Sequence, residues 1–193
     1  FYADRILVSG LRTGDAPSSV REFSFPFSTV DRGTGIAIYH AAHGKAEDTS
    51  AARTFVTLMI DGEPNLLAAY VCTPLVKIPL NELKKAGDRI KATTVVELGN
   101  RNRPLDMITY RQDGTNYLLL SNDRRGVMKI TTSGLNDNEG LSERVQGGGS
   151  AGQTYETIDS LQGVVQMDKL NDDYAIVLIE GADDVNLKTV PLP

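Results

Sequence analysis

The sequence is poor in the residues that build several common kinds of site. It has one cysteine, Cys72, in 193 residues, so neither an internal disulfide nor a four-cysteine zinc site can form within it. Tryptophan is absent and only two histidines occur. Helical periodicity is scarce as well, since the one candidate helix, residues 81–87, is short and polar and ends at a glycine. The scarcity of helical periodicity predicts a chain made almost entirely of strands and turns.

Long apolar runs and basic blocks are also missing. No apolar run approaches the roughly 20 residues that a membrane-spanning helix requires, so we expect no transmembrane segment. Acidic residues outnumber basic ones, 25 to 20, giving a formal net charge of −5. No basic block is longer than two residues, whereas nucleic-acid binding needs clustered positive charge. The composition therefore predicts no nucleic-acid partner.

The first residues indicate processing. The chain opens on Phe1 and Tyr2 with no initiator methionine. This predicts either that a leader has been removed, which favours a periplasmic or secreted location, or that the chain is a piece of a longer polypeptide.

Short β-branched or aromatic runs recur between turn signals along the whole chain. Turn residues such as Asp61-Gly62, Asp113-Gly114 and 171–173 are placed to reverse the chain between neighbouring strands, which predicts antiparallel hairpins. The predicted strands cover residues 5–11, 21–27, 35–40, 55–60, 66–71, 75–80, 92–98, 105–110, 117–121, 127–132, 154–158, 164–169, 174–179 and 187–192.

A weak internal repeat indicates the architecture. The segment around Lys77 resembles those around Lys129 and Lys188, and more loosely residues 22–27. Their spacing of about 50 residues is typical of four-stranded β-propeller blades. The glycine-rich stretch 146–152 is read as an exposed loop inserted in the third repeat.

Three and a half to four blades are visible, whereas closed propellers typically have about four to eight. We therefore predict an all-β fold in which residues 1–193 form one propeller domain or a segment of a larger propeller. The missing blades would come from the same precursor or from another chain. A small four-bladed ring and a large antiparallel sandwich are the alternatives.

Three segments resemble blades of secreted bacterial β-propeller repeat proteins. They are ELGNRNRPLDM at 97–107, NYLLLSN at 116–122 and RGVMKI at 125–130, and the resemblance extends from Arg53 to Pro193. It implies a propeller architecture, which in other proteins serves as a binding scaffold, a lactonase-like hydrolase or a metal or quinone enzyme.

Both histidines fall within four residues. His40 and His43 could share a metal, with Glu47 as a third ligand; the alternative is two loop histidines in ordinary hydrogen bonds. Cys72, at a strand end, is predicted to be buried and inert.

A second candidate site lies where a predicted inner strand begins. Asp106 could bind calcium with asparagine oxygens, or pair with a neighbouring arginine in a structural role. Two arginines in the turn at 121–126 could hold a carboxylate or phosphate, or belong to an ordinary hairpin turn. The predicted ligand-binding residues are Asn100, Arg101, Asn102, Arg103, Asp106, Arg124 and Arg125.

No hydrolase elbow, phosphate loop or dinucleotide fingerprint is present. The sequence favours a binding or assembly scaffold with a protein partner in an exported bacterial protein. The alternatives are a metal-dependent enzyme with its site on the propeller axis or loop face, tested at His40, His43 and Asp106, and a propeller subunit of a larger redox complex. The cofactor that these alternatives imply is a divalent metal, either calcium or a transition metal.

Overall fold

The computed structural model describes residues 4–28, 32–72, 74–83 and 89–193, and these form four mainly antiparallel sheets in chain order. The first sheet has β1 (Arg5–Leu11), β2 (Ser18–Ser24), β3 (Thr34–His40) and β4 (Lys45–Glu47), with β8 (Arg89–Lys91) parallel to β3. The second has β5 (Thr54–Ile60), β6 (Glu63–Ala69), β7 (Pro74–Pro79), β9 (Thr93–Leu98) and β13 (Ser150–Gly152). The third has β10 (Pro104–Gln112), β11 (Thr115–Asn122), β12 (Gly126–Thr131) and β14 (Tyr155–Ile158); the fourth has β15 (Val164–Lys169), β16 (Tyr174–Glu180) and β17 (Val185–Pro191).

Each of the fourteen predicted strands overlaps an observed strand, and the all-β prediction is confirmed. The predicted loop at 146–152 is wrong in part: it contains a 3-10 turn, and β13 then pairs with β9 of the preceding sheet. The predicted helix at 81–87 begins as α1 (Leu80–Leu83), and its later residues lie outside the described part of the chain. Four residues are far too few to cross a bilayer, and no other α-helix occurs among the described residues.

Two hairpins show how local sequence sets the strand pairing. Asp61 and Gly62 have φ values of 47° and 81°, and Asp113 and Gly114 have 49° and 81°. Two consecutive positive φ angles make the two-residue turn whose twist matches that of antiparallel strands. These turns fix the β5–β6 and β10–β11 registers, as the sequence predicted.

The sheets stack face to face in chain order around three apolar cores. The first core lies between the first and second sheets, the second between the second and third, and the third between the third and fourth. On β6, Leu66 packs into the first core and Leu67 into the second. The two central sheets are therefore buried on both faces, which explains their continuous apolar runs.

The sequence repeat corresponds to equivalent positions in the sheets. Lys77, Lys129 and Lys188 all lie on the third strand of their sheets and face the middle of the second strand. The looser match at 22–27 is wrong, because it falls on the second strand of its sheet and in the turn after it. Alternating apolar residues are common to all such strands, so that match carried no positional information.

The first strands of the four sheets approach one another. β10 packs against β5 and β15, and a cleft of about 370 Å³ is lined by residues of β1, β5, β10 and β15, including Leu7, Thr57, Thr109 and Asp168. The described strands form several successive sheets rather than a demonstrated closed ring, so the propeller stays a prediction.

Candidate metal centre

Three segments of the first and second sheets meet at one polar cluster. The β3–β4 hairpin contributes His40, His43 and Glu47, the turn between β6 and β7 contributes Cys72, and β9 contributes Glu97. These five residues are called the His40 cluster below.

The hairpin turn at 41–44 places the two imidazoles side by side. The amides of His43 and Gly44 donate to the His40 carbonyl at 3.1 and 2.8 Å, and Gly44 adopts a φ of +70°. The amide of Val145 donates to the Ala41 carbonyl at 2.9 Å and ties the turn to a distant segment. The ring centroids of His40 and His43 are consequently 3.8 Å apart.

One carboxylate orients both rings. His40 Nδ1 lies 2.9 Å from one oxygen of Glu47, and His43 Nδ1 lies 2.8 Å from the other. An ionised carboxylate only accepts hydrogen bonds, so both rings donate from Nδ1. In the neutral rings the lone pair then lies on Nε2. Hydrogen bonding of the non-ligating nitrogen to a carboxylate is the usual arrangement around metal-bound histidine.

The electrostatics keep these groups in the forms that a metal needs. Burial lowers the pKa of His40, against the hydrogen bond to Glu47, which raises it. Burial also raises the pKa of Glu47, but the hydrogen bonds from His40 and His43 outweigh it and bring that pKa down to about 2. Neutral His40 beside ionised Glu47 is the pairing that leaves an imidazole nitrogen free to bind a cation.

Cys72 approaches the histidines from the neighbouring sheet. Its φ of +62° is a backbone conformation uncommon for a residue with a side chain, and its amide donates to the Asn102 carbonyl at 2.9 Å. The thiol and one ring nitrogen from each histidine all lie within 4.8 Å of one another. Cys72 is half-buried, so the prediction that it is buried is wrong, while its predicted inertness stays a prediction.

Glu97 closes the buried side of the cluster. It is fully buried in β9, and one carboxylate oxygen accepts the Ala42 amide at 3.2 Å. The other oxygen, Oε1, lies 3.8 Å from His40 Nε2, and neither atom has a hydrogen-bond partner in the described part of the chain. Burial raises the pKa of Glu97 to about 7, although main-chain hydrogen bonds from residues 41 and 42 lower it in part.

The donor types indicate which metals fit. Imidazole and thiolate suit zinc and copper, whereas calcium takes oxygen ligands only. Ligands about 2.0–2.3 Å from one tetrahedral zinc lie about 3.3–3.8 Å apart. A nitrogen and an oxygen ligand lie about 3.3–3.5 Å apart, so the 3.8 Å between His40 Nε2 and Glu97 Oε1 is within about 0.5 Å of that spacing. The ligand atoms of His40, His43 and Cys72, which lie within 4.8 Å of one another, would have to close by up to about 1 Å.

The structure brings together the three residues that the sequence placed in a metal site, but it changes the role of one. Glu47 was predicted as the third ligand, whereas both of its oxygens are taken by the histidine Nδ1 atoms. Sequence reasoning missed Cys72 and Glu97. A carboxylate between the apolar residues Val96 and Leu98 of a buried strand was the signal that could have revealed Glu97.

The second predicted site, residues 100–106 with the turn at 121–126, is called the Asn100 region below. Asp106 accepts the amides of Met107 and Met167, both at 2.9 Å, and so ties β10 to β15. The predicted structural pairing of Asp106 with arginine is wrong, because Arg103 pairs with Asp123 at 2.8 Å. Asn102 is buried and holds the Cys72 amide through its carbonyl.

The remaining predicted ligand-binding residues lie around the same turn. Arg101 is exposed with a φ of +57°. The guanidinium of Arg125 packs over Gly99 and approaches the Asn100 carbonyl at 3.5 Å, while Arg124 lines a separate shallow pocket of about 260 Å³. The two arginines therefore have different surroundings rather than forming one anion clamp.

Among the described residues, the His40 cluster is the one group whose imidazole and thiol donors converge closely enough to share an ion. No family model matches the sequence, and no curated protein matches it. The function is therefore inferred from side-chain geometry.

Proposed function

We propose that the protein is a rigid β-sheet scaffold that binds one first-row transition metal ion, zinc or copper, at the His40 cluster. The observation that carries the proposal is the convergence of the Cys72 thiol with one ring nitrogen of each histidine within 4.8 Å, together with the double hydrogen bond of Glu47, which leaves Nε2 of each neutral ring as the nitrogen with a lone pair. An ordinary pair of loop histidines has no need of a shared carboxylate and a thiol.

The cluster is distinct from the cleft between the first strands. The residues lining that cleft come from β1, β5, β10 and β15, whereas the cluster lies at the ends of β3, β4 and β9 and in the β6–β7 turn. A metal-dependent activity would therefore belong to the loop-bearing ends of the sheets rather than to the axis. Asp106, whose carboxylate already holds two amides, is not part of this proposal.

Metal binding is tested by titrating chelator-free protein with Zn²⁺ and, under reducing conditions, with Cu⁺. We expect one equivalent to bind, and the free energy of unfolding to rise by about 2.7 kcal/mol when free metal is 100 times the Kd. Cys72→Ser should reduce the affinity strongly, while Arg124→Ala in the Asn100 region should leave it unchanged.

The single cysteine provides a second readout. Because Cys72 is the only thiol, its alkylation rate by iodoacetamide reports directly on this site. Bound metal should protect it. If both ions leave the alkylation rate and the unfolding free energy unchanged, the proposal is wrong.

We further propose that the four sheets are successive blades of a β-propeller in an exported bacterial protein, related to the secreted propeller repeats that the sequence resembles. The equivalent positions of Lys77, Lys129 and Lys188 and the convergence of the first strands support this arrangement. Cryo-electron microscopy of the natural full-length protein tests it, since a propeller requires these sheets to occupy consecutive sectors of one ring.

The exposed edge of the fourth sheet favours a scaffold that packs against a further sheet. This sheet has three strands, and on its edge strand β17 Val185 is 60% exposed and Leu187 65% exposed. We propose that a further sheet, from the same precursor or a partner chain, covers this edge. Amide hydrogen exchange tests this proposal: β17 should exchange more slowly in the protein isolated from its source than in residues 1–193 alone.

A further inference from the structure

The strongest unexplained feature is a buried acid with one oxygen that has no partner in the described part of the chain. Glu97 is fully buried, and its Oε1 has no hydrogen-bond partner in the described ranges. A buried carboxylate is normally paired with a cation or bound to a metal, because removing a charge from water is costly. His40 Nε2 lies 3.8 Å from this oxygen, which is too far for a hydrogen bond.

Resting on the proposed metal site, we propose that Glu97 is its fourth ligand and that it makes the site selective for a divalent ion over Cu⁺. Two atoms without partners in the described residues, Glu97 Oε1 and His40 Nε2, lie 3.8 Å apart, within about 0.5 Å of the spacing of a nitrogen and an oxygen ligand of one ion. Neither is satisfied by the protein, and an ion between them would satisfy both.

The fold holds Glu97 in this position. In the β7–β9 register Glu97 pairs with Pro74, which lies two residues after Cys72 in the chain. Thr94, three residues earlier on β9, donates its hydroxyl to the Tyr39 carbonyl at 2.6 Å, next to His40 in the chain. The same strand therefore holds the carboxylate beside His40 and pairs it, through the backbone register, with the strand that follows Cys72.

The charge count gives the selectivity. An ionised thiol and an ionised Glu97 supply two negative charges, and the two imidazoles are neutral ligands. The remaining carboxylate, Glu47, lies 3.4 Å from the ammonium of Lys45, which offsets its charge. A divalent ion is therefore neutralised within the buried site, whereas Cu⁺ leaves one excess negative charge.

The test compares Zn²⁺ and Cu⁺ affinities in the unmodified chain, in Glu97→Gln and in the control Glu139→Gln, an exposed glutamate elsewhere on the surface. Anaerobic competition with chelators of known affinity gives both constants. Glu97→Gln keeps the shape and removes the charge. It should weaken Zn²⁺ binding at least about 100-fold, since even indirect partners of metal ligands cost about 10- to 100-fold. Cu⁺ binding should change less than about threefold, and Glu139→Gln should change neither.

Glu97→Asp, which restores the charge on a shorter side chain, should recover part of the Zn²⁺ affinity. The inference is overturned if Glu97→Gln leaves Zn²⁺ binding intact, or if it weakens Zn²⁺ and Cu⁺ equally, while the unmodified chain still binds metal. If the unmodified chain binds neither ion, the proposed function itself fails. The alkylation rate of Cys72 gives independent support. In Glu97→Gln, Zn²⁺ should no longer protect Cys72 against alkylation, whereas Cu⁺ should still protect it.

Discussion

The His40 cluster and the Asn100 region are both groups of polar residues at strand ends, yet they bring together different chemical groups. In the Asn100 region the carboxylate of Asp106 holds two amides, and Asp123 holds both the amide and the guanidinium of Arg103. In the His40 cluster, Nε2 of His40 and Oε1 of Glu97 have no partner among the described residues although they are buried. Buried Asn102 Nδ2 and Asn122 Oδ1 of the Asn100 region also lack a partner among these residues. The comparison therefore teaches that the convergence of imidazole and thiol groups, rather than an unsatisfied polar atom alone, identifies a site.

The largest expected effect is a loss of Zn²⁺ affinity on substitution in the His40 cluster, with no such loss on substitution in the Asn100 region. His43→Ala removes one imidazole, and we expect at least about a 100-fold loss of Zn²⁺ affinity, above the cost of losing an indirect partner. Arg124→Ala, at the far turn, should leave the affinity within experimental error. Isothermal titration of both variants under the same competitor checks this contrast. Equal losses in the two would mean that the measured metal does not bind at the His40 cluster.

The next effect tests whether Glu47 orients ligands or is a ligand. In Glu47→Gln the amide nitrogen donates, so the imidazole facing it must accept at Nδ1 and carry its proton on Nε2. That ring can no longer bind the metal through Nε2 without rearrangement. We expect the Zn²⁺ affinity to fall by about 10- to 100-fold.

Glu139→Gln serves as the control for the Glu47 experiment, because it makes the same chemical change at an exposed position. A loss in Glu47→Gln as large as that in His43→Ala would assign Glu47 a direct ligand role. No loss at all would show that the shared carboxylate does not set the ring orientation.

The same comparison shows what local sequence could reveal. The strands and hairpin turns were predictable because alternation and Asp-Gly turns act within a few residues. His40, His43 and Glu47 lie on one hairpin, so their proximity followed from their spacing. Cys72 and Glu97 reach the cluster only through the β7–β9 register and the stacking of the first sheet on the second. Neither can be read from a single stretch of sequence.

The Asn100 region should respond in stability instead of metal affinity. Asp106→Ala leaves the amides of Met107 and Met167 without their acceptor, and an unsatisfied buried donor costs about 1–3 kcal/mol. Asp106 is half-buried, so water can replace part of the loss, and we expect a decrease of about 1–2 kcal/mol in the free energy of unfolding. Urea denaturation of the metal-free protein measures it. Unchanged stability together with weakened metal binding would reverse the roles assigned to the two regions.

The smallest effect concerns the pH dependence of the Arg103–Asp123 pair. Burial raises the pKa of Asp123, but the hydrogen bonds and charge of Arg103 outweigh it, so the pKa lies below its ordinary value of 3.8. A depressed folded-state pKa stabilises the protein above the unfolded-state value and loses that contribution as the pH falls through the folded-state value. Arg103 is 62% exposed, so the pair contributes only about 0.2–1 kcal/mol. Asp123→Asn should therefore lower the free energy of unfolding slightly at pH 7, and its difference from the unmodified chain should shrink as the pH falls below about 3.8, as measured by urea denaturation over this pH range. A difference that persists undiminished at the lower pH would show that Asp123 stabilises the turn through its shape and neutral hydrogen bonds rather than through its charge.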